Sequence, residues 1–198
     1  MKYLKWIFVI VFILSNSAIL NAQSIGVAGG LAFSSGVDYK EPISDYVGST
    51  GNPGIFAKAF LKFNKRFYFI PAATFFSAYE DTDLFSYDFK AYMFQGDVDL
   101  AYGFYKDKYL KVLGYAGLNA TAISKKWDIL QSTGFTAKVK NSSDFQPGVN
   151  LGGALQLYVN DNFDGYISAK YIVGNYSQVI INIGAIYYLG SKPRKGSW

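Results

Sequence analysis

The stretch QVIINIGAIYYL, from Gln178 to Leu189, repeats with a period of two. Alternate residues of an extended strand point to opposite faces, so a period of two separates one face from the other. The first face is apolar from end to end and carries Val179, Ile181, Ile183, Ala185, Tyr187 and Leu189. The second face includes Asn182 and Gly184. The stretch therefore predicts a β-strand with an unbroken apolar face and a mixed polar face.

The same pattern recurs along most of the chain. Eight segments share it, at roughly 24–35, 53–63, 67–77, 87–104, 109–122, 146–159, 163–173 and 178–189. Short turns at 64–66, 105–108 and 160–162 alternate with long polar connections at 36–52, 78–86 and 123–145, and the last connection, at 174–177, is short. An even number of strands of about ten residues, with short turns on one side and long loops on the other, is typical of a transmembrane β-barrel. We predict an all-β, eight-stranded antiparallel barrel over residues 23–189.

Aromatic side chains flank the short turns. They are Phe63, Phe67, Tyr68, Tyr105, Tyr109, Tyr158, Phe163, Tyr187 and Tyr188. In a barrel these positions fall at one level, where they predict an interfacial girdle. The alternative is that aromatic residues simply favour strands.

The first 22 residues have the pattern of a secretory signal peptide. Lys2 and Lys5 precede the apolar run WIFVIVFIL, and the polar stretch SNSAILNA ends at Ala22. The apolar run is far shorter than the roughly 20 residues of a spanning helix. We predict cleavage after Ala22, with the alternative of an uncleaved anchor, and a separate basic tail at 190–198.

The chain resembles the small bacterial outer-membrane β-barrel proteins, a porin-like family that includes barrels similar to the transmembrane domain of outer-membrane protein A. The resemblance covers Ser24–Leu189 and depends on the leader ending LNAQ, the first strand SIGVAGGLAF and the last strand INIGAIYYLG. It implies an outer-membrane location, contacts with membrane lipid and lipopolysaccharide, and insertion by the barrel-assembly machinery. The tail GSKPRKGSW departs from the family, whose barrels usually end at the aromatic residue that closes the last strand.

Residue types that the chain lacks exclude much chemistry. It contains no His and no Cys, which removes the commonest general base, the commonest metal ligands and the thiolate nucleophile. We therefore predict no enzymatic activity, no cofactor and no metal. The segment Asn160–Gly165 resembles the start of a calcium loop, but Tyr171 stands where the bidentate Glu belongs, so a hairpin turn is favoured. The net charge of +5 comes from scattered residues, and no nucleic-acid partner is expected.

The stretch FQGDVDLAYG places Asp97 and Asp99 on the mixed face of a strand. Other strands carry charged residues on the same face, and opposite charges in a low-dielectric lumen must pair or stay wet. We predict that these side chains form a network that fills the interior, supported by Gln95, Asn150, Gln156, Ser168 and Asn182. Its charged members are Lys58, Lys62, Asp97, Asp99, Asp164 and Lys170.

The long loops are the predicted contact sites for an extracellular ligand or partner protein. Their candidate residues are Tyr39, Tyr46, Lys125, Lys126 and Trp127; the alternative is that these residues are simply solvated or interfacial. The leading function is a structural or surface-interaction barrel with a filled lumen. The alternatives are a small porin-like channel or transport component, and a secreted lipocalin-like barrel with an apolar interior and a polar exterior.

Overall fold

The computed structural model describes residues 24–35, 38–40, 47–49, 52–83, 87–129, 142–175 and 177–189. These residues form ten strands. They are β1 (Ser24–Ser34), β2 (Asp38–Lys40), β3 (Val47–Ser49), β4 (Pro53–Lys62), β5 (Phe67–Asp83), β6 (Tyr87–Lys106), β7 (Leu110–Ile129), β8 (Ser142–Tyr158), β9 (Phe163–Gly174) and β10 (Gln178–Leu189).

Eight of the strands form a closed antiparallel barrel in the order β1-β10-β9-β8-β7-β6-β5-β4. The first and last strands close it, with Ile25 opposite Leu189 and Ser34 opposite Ile180. The predicted eight-stranded barrel is thus confirmed. The sequence did not predict β2 and β3, which pair with each other as a small separate sheet.

Four neighbouring strands are longer than predicted. Strands β5, β6, β7 and β8 have 17, 20, 20 and 17 residues, whereas β1, β4, β9 and β10 have 10 to 12. A membrane-spanning strand needs only about 9–11 residues. The additional residues lengthen the barrel wall at the end that carries the long connections, which we call the loop end. There Lys90 of β6 is opposite Lys126 of β7.

The predicted loops at 78–86 and 123–145 are therefore partly wrong, because their ends continue the strands. Lys125, Lys126 and Trp127 lie in β7 and not in a loop. The physical reason is that a strand outside an apolar layer is held by its backbone hydrogen bonds alone. Its residues therefore need not alternate between apolar and polar, and the period of two that identifies a strand is absent. Tyr39 lies in β2, whereas Tyr46, the predicted signal peptide 1–22 and the tail 190–198 are outside the described residues.

The two faces of the barrel wall have opposite chemistry. Large apolar side chains point outward, and Ile55, Leu100 and Leu118 are 63%, 66% and 68% exposed. Charged side chains point inward, and Asp99 and Lys170 are each 2% exposed. A lipocalin-like barrel would have the reverse arrangement. In the part of the chain that is described, no helix is long and apolar enough to cross a membrane.

The short-turn end carries the predicted aromatic ring only in part. Exposed aromatic side chains point outward there, namely Phe67, Tyr105, Tyr109, Phe163 and Tyr187. Tyr68 and Tyr188 were predicted in the same ring, and that prediction is wrong. Each follows an outward residue on its strand and must point inward; Tyr68 is buried, and Tyr188 donates a hydrogen bond to the buried Asp164.

Candidate functional site

The candidate site is a cluster of buried polar side chains in the middle of the lumen. Asp97 and Asp99 come from β6, Asn119 from β7, Asn150 from β8 and Lys170 from β9. All five are at most 5% exposed. Each lies on the inward face because the apolar face of its strand points outward, so the alternation of the sequence brings the polar residues together.

Asp97 is the centre of this cluster. Its Oδ2 accepts a hydrogen bond from Nζ of Lys170 at 2.6 Å, which is also an ion pair across the lumen. Its Oδ1 accepts hydrogen bonds from Nδ2 of Asn119 at 2.7 Å and from Nδ2 of Asn150 at 2.9 Å. Three donors on one carboxylate compensate much of the cost of removing its charge from water.

Asp99 has fewer partners. Nδ2 of Asn150 also reaches Oδ1 of Asp99, at 3.0 Å, so this one amide bridges the two acids. Nζ of Lys58 is close enough to both acids to interact with them electrostatically, although it forms no ion pair with either. The four central charges therefore balance, as two acids and two lysines.

A chain of hydrogen bonds fixes the orientation of Asn119. Gln95 donates to Thr121 at 3.3 Å, Thr121 donates to Oδ1 of Asn119 at 2.8 Å, and Asn119 donates to Asp97. Such chains polarise their members and strengthen the last bond. The sequence prediction missed Asn119 and Thr121. The signal was present, because both residues share the inward face of β7.

Two glycines make room for the cluster. Gly117 of β7 is opposite Asp99 in the register, and a Cβ at this position would collide with the Asp99 side chain and the Val98 carbonyl oxygen. Gly152 of β8 is opposite both Lys170 and Tyr115, and a Cβ there would lie 2.8 Å from an atom of each. The barrel wall therefore has glycine, which lacks a side chain, at the positions that face the large side chains of the lumen.

Lys58 lies among aromatic rings. Its Nζ donates to the hydroxyl oxygen of Tyr166 at 3.1 Å and lies 5.2 Å, 5.3 Å and 6.0 Å from the ring centres of Tyr166, Phe56 and Tyr115. Phe60 packs edge-on against Tyr166, with the ring centres 5.4 Å apart. Cation–π attraction partly replaces the missing carboxylate. The same rings belong to one buried cluster inside the barrel.

Two members of the predicted network lie at another level. Asp164 is six residues before Lys170 on β9, a separation of about 20 Å along the strand, and it accepts a hydrogen bond from Tyr188 at 2.7 Å. Lys62 is buried at the short-turn end of β4, four residues beyond Lys58. Among the described residues, no carboxylate forms an ion pair with Lys62. The structure thus brings together four of the six predicted charged residues.

Other polar side chains line the lumen beyond the cluster. Asn182 donates to Ser168 at 3.1 Å, and Lys111 donates to Gln156 at 2.8 Å. A few buried acceptor or hydroxyl oxygens have no protein partner, which is a typical place for internal water. They belong to Thr74, Gln95, Asn150 and Asn182.

This arrangement is suited to filling space and balancing charge. Within the described ranges, no group of three or more potential ligand residues could hold a metal ion. The segment that resembles a calcium loop is a turn, as predicted: Oδ1 of Asn160 accepts hydrogen bonds from the backbone N–H groups of Asn162 and Phe163, and Asp161 accepts one from Tyr158.

The closed barrel, its apolar outer face and the polar side chains buried inside it define the class of fold as a small eight-stranded barrel of the outer-membrane type. Solved structures share this fold. The chain is similar to a major outer membrane protein of Thermus thermophilus (TM-score 0.55, 15% identity, 84% of this chain and 99% of that one). It is also similar to Ail, the attachment invasion locus protein of Yersinia pestis (0.53, 16%, 84% and 97%).

A third similar structure is the N-terminal β-barrel domain of Pseudomonas aeruginosa OprF (TM-score 0.53, 14% identity, 85% of this chain and 98% of that one). At these identities the likeness establishes the fold alone. No family model matches the sequence. No curated protein matches it either.

Proposed function

We propose that the chain is an integral outer-membrane barrel with a structural or surface-interaction role and a lumen closed by its own side chains. The observation that carries the proposal is the arrangement of the barrel wall, in which leucine and isoleucine are exposed outside and six charged side chains are buried inside. An outward apolar band is favourable only in lipid. The fold shared with outer-membrane proteins supports the same location.

A single-cysteine experiment tests this location, and the absence of native cysteine makes it clean. Thr82→Cys lies at the loop end of β5, and Asn162→Cys lies in a turn at the opposite end. We expect a membrane-impermeant maleimide to label Thr82→Cys in intact cells and Asn162→Cys only after the outer membrane is opened. Labelling of both positions in intact cells would contradict the proposal.

A measurement of the intact mass of the purified protein would test the predicted cleavage after Ala22.

The closed lumen distinguishes this proposal from the porin-like alternative. An eight-stranded barrel has an interior just wide enough for side chains to fill, and here the ion pair of Asp97 and Lys170 lies across it. The Phe56, Phe60 and Tyr166 rings fill a second level. We expect purified barrel in planar bilayers to show no discrete conductance steps. Reproducible steps would favour a channel.

The extension of β5–β8 supports a surface-interaction role, because a wall that only spans lipid needs no such surplus. Ail has been solved in complex with the heparin analogue sucrose octasulfate. The strands of this extension favour a different partner. They carry Lys90, Lys125 and Lys126 against Glu80, Asp81, Asp83, Asp88 and Asp128. With five acids and three lysines, these strands are unfavourable for binding a polyanion. We therefore propose a protein partner.

Shortening the β5–β6 hairpin tests this role. Replacing Asp81–Phe89 with a two-residue Asn-Gly turn leaves Glu80 opposite Lys90, which preserves the register below. We expect the shortened barrel to keep its heat-modifiable gel mobility and to lose cell-surface contacts that photo-crosslink to the parent protein. Unchanged crosslinks would contradict the role of the hairpin.

Lipopolysaccharide contact and insertion by the barrel-assembly machinery belong to the same proposal.

We also propose that the chain has no enzymatic activity. The support is chemical: Asp97 is held in an ion pair and two amide hydrogen bonds, and the sequence offers no histidine to act as a base.

A further inference from the structure

One side of the short-turn end carries exposed positive charge beside exposed aromatic rings. The turn between β4 and β5 contains Lys65 and Arg66, and the turn between β6 and β7 contains Asp107 and Lys108, so the two turns carry three cations and one acid. These turns adjoin, because the Gly103 backbone N–H donates to the carbonyl oxygen of Arg66 at 2.8 Å. We call Lys65, Arg66, Tyr102, Phe104 and Lys108 the basic rim.

Two cations of the basic rim, Arg66 and Lys108, contact aromatic rings. Nη1 of Arg66 donates to the hydroxyl oxygen of Tyr102 at 2.9 Å, and the guanidinium lies 5.9 Å from the centre of that ring. Nζ of Lys108 lies 5.0 Å from the ring centre of Tyr109. The charges are therefore anchored where the apolar surface of the barrel ends, which is the depth of lipid head groups.

The outward rings continue this surface toward the apolar band. Tyr102 packs edge-on against Phe67 on one side and Phe104 on the other, each with ring centres 5.1 Å apart. Phe104 is 69% exposed. A lipid whose phosphate met Arg66 would find a ready apolar surface for its acyl chain. Guanidinium groups suit this role because they bind phosphate oxygens in a bidentate manner.

The opposite side of the same end lacks this combination. The turn between β8 and β9, residues 159–162, contains Asp161 and no cation, although Phe163 and Tyr187 provide outward aromatic rings. Among the described residues of this end, aromatic rings therefore lie on both sides of the barrel, whereas the cations of the turns lie on one side. An interfacial girdle alone does not explain this asymmetry.

We propose that the basic rim is a binding site for the head group of an anionic phospholipid in the leaflet at the short-turn end. The proposal rests on the membrane placement proposed above. The ligand is a phosphodiester with a net negative charge, such as phosphatidylglycerol. Phosphatidylethanolamine is a weaker ligand because its own ammonium group neutralises the phosphate.

Lipid retention measures this preference. The full-length mature barrel is folded into vesicles with equimolar phosphatidylglycerol and phosphatidylethanolamine, extracted in mild detergent, and its retained lipids are identified by native mass spectrometry. We expect phosphatidylglycerol to be enriched about fivefold, the effect of one well-placed cation at a membrane surface. The triple variant K65Q/R66Q/K108Q should lose the enrichment. High salt should also reduce it, because the Debye length falls to about 3 Å at 1 M.

The charge-matched control is K90Q/K125Q/K126Q, which removes three cations at the loop end and should keep the enrichment. An equal loss in this control would show that overall charge, and not the basic rim, selects the lipid, and would overturn the proposal. Equal retention of both lipids by the parent would overturn it as well. Failure of the parent to insert into vesicles would instead contradict the membrane placement, so the two failures are distinguishable.

Discussion

The two lysines in the middle of the lumen occupy contrasting environments. Lys170 forms an ion pair with Asp97, whose remaining oxygen is bonded by two amides. Lys58 has a tyrosine hydroxyl and three aromatic rings but no carboxylate in contact. The difference shows that one barrel can accommodate a buried cation in two ways: by direct pairing, or by a set of weaker contacts with net charge balanced nearby.

Lys170→Met should have the largest effect. It removes one half of a buried ion pair and leaves Asp97 with two amide donors but no cation in contact, which costs about 3–5 kcal/mol of stability. Urea unfolding of the barrel in lipid vesicles, followed by circular dichroism, measures the change. A cost as small as that of a surface substitution would mean that the pair of Lys170 and Asp97 does not support the fold.

The two acids allow the comparison to be sharpened. Asp97→Asn removes the charge that Lys170 pairs with, but the amide oxygen that replaces it can still accept a hydrogen bond, so we expect a smaller loss than for Lys170→Met, of about 2–3 kcal/mol. Asp99→Asn affects one such bond and should cost about 1 kcal/mol. The same urea titration ranks the two variants. The reverse order would mean that Asn150 and Lys58 hold Asp99 more tightly than the distances indicate.

The space around Asp99 is a separate requirement. Gly117→Ala places a methyl group against the Asp99 side chain and the backbone of β6, and overpacking of this kind costs about 1–3 kcal/mol. Gly96→Ala is a matched control, because it lies on the neighbouring strand and has no atom within 4 Å of the added carbon. Gel mobility and urea midpoints should shift for Gly117→Ala alone. An equal shift in both would point to glycine flexibility and not to crowding.

The sequence predicted which face each lumen residue occupies, because the period of two is strict wherever one face meets lipid. It did not predict which residues meet across the interior. Asp97 and Lys170 are 73 positions apart, and their contact depends on strand tilt and stagger, which a closed barrel imposes as a whole. It also missed the loop-end extensions of β5, β7 and β8, where segments such as Tyr79–Asp83 have no alternating pattern and were predicted as loop. The loop-end part of β6 was included in the predicted segment 87–104.

Lys58→Met should have the smallest effect of the lumen substitutions. The change removes a cation–π contact and one hydrogen bond to Tyr166, but it also removes the cost of burying an ammonium group. These contributions oppose each other, so we expect a net loss of about 1 kcal/mol or less. The residual cost arises because two acids then share one lysine. The double variant Lys58→Met with Asp99→Asn should therefore be less destabilised than the sum of the single variants. Strict additivity would show that Lys58 and Asp99 do not compensate each other.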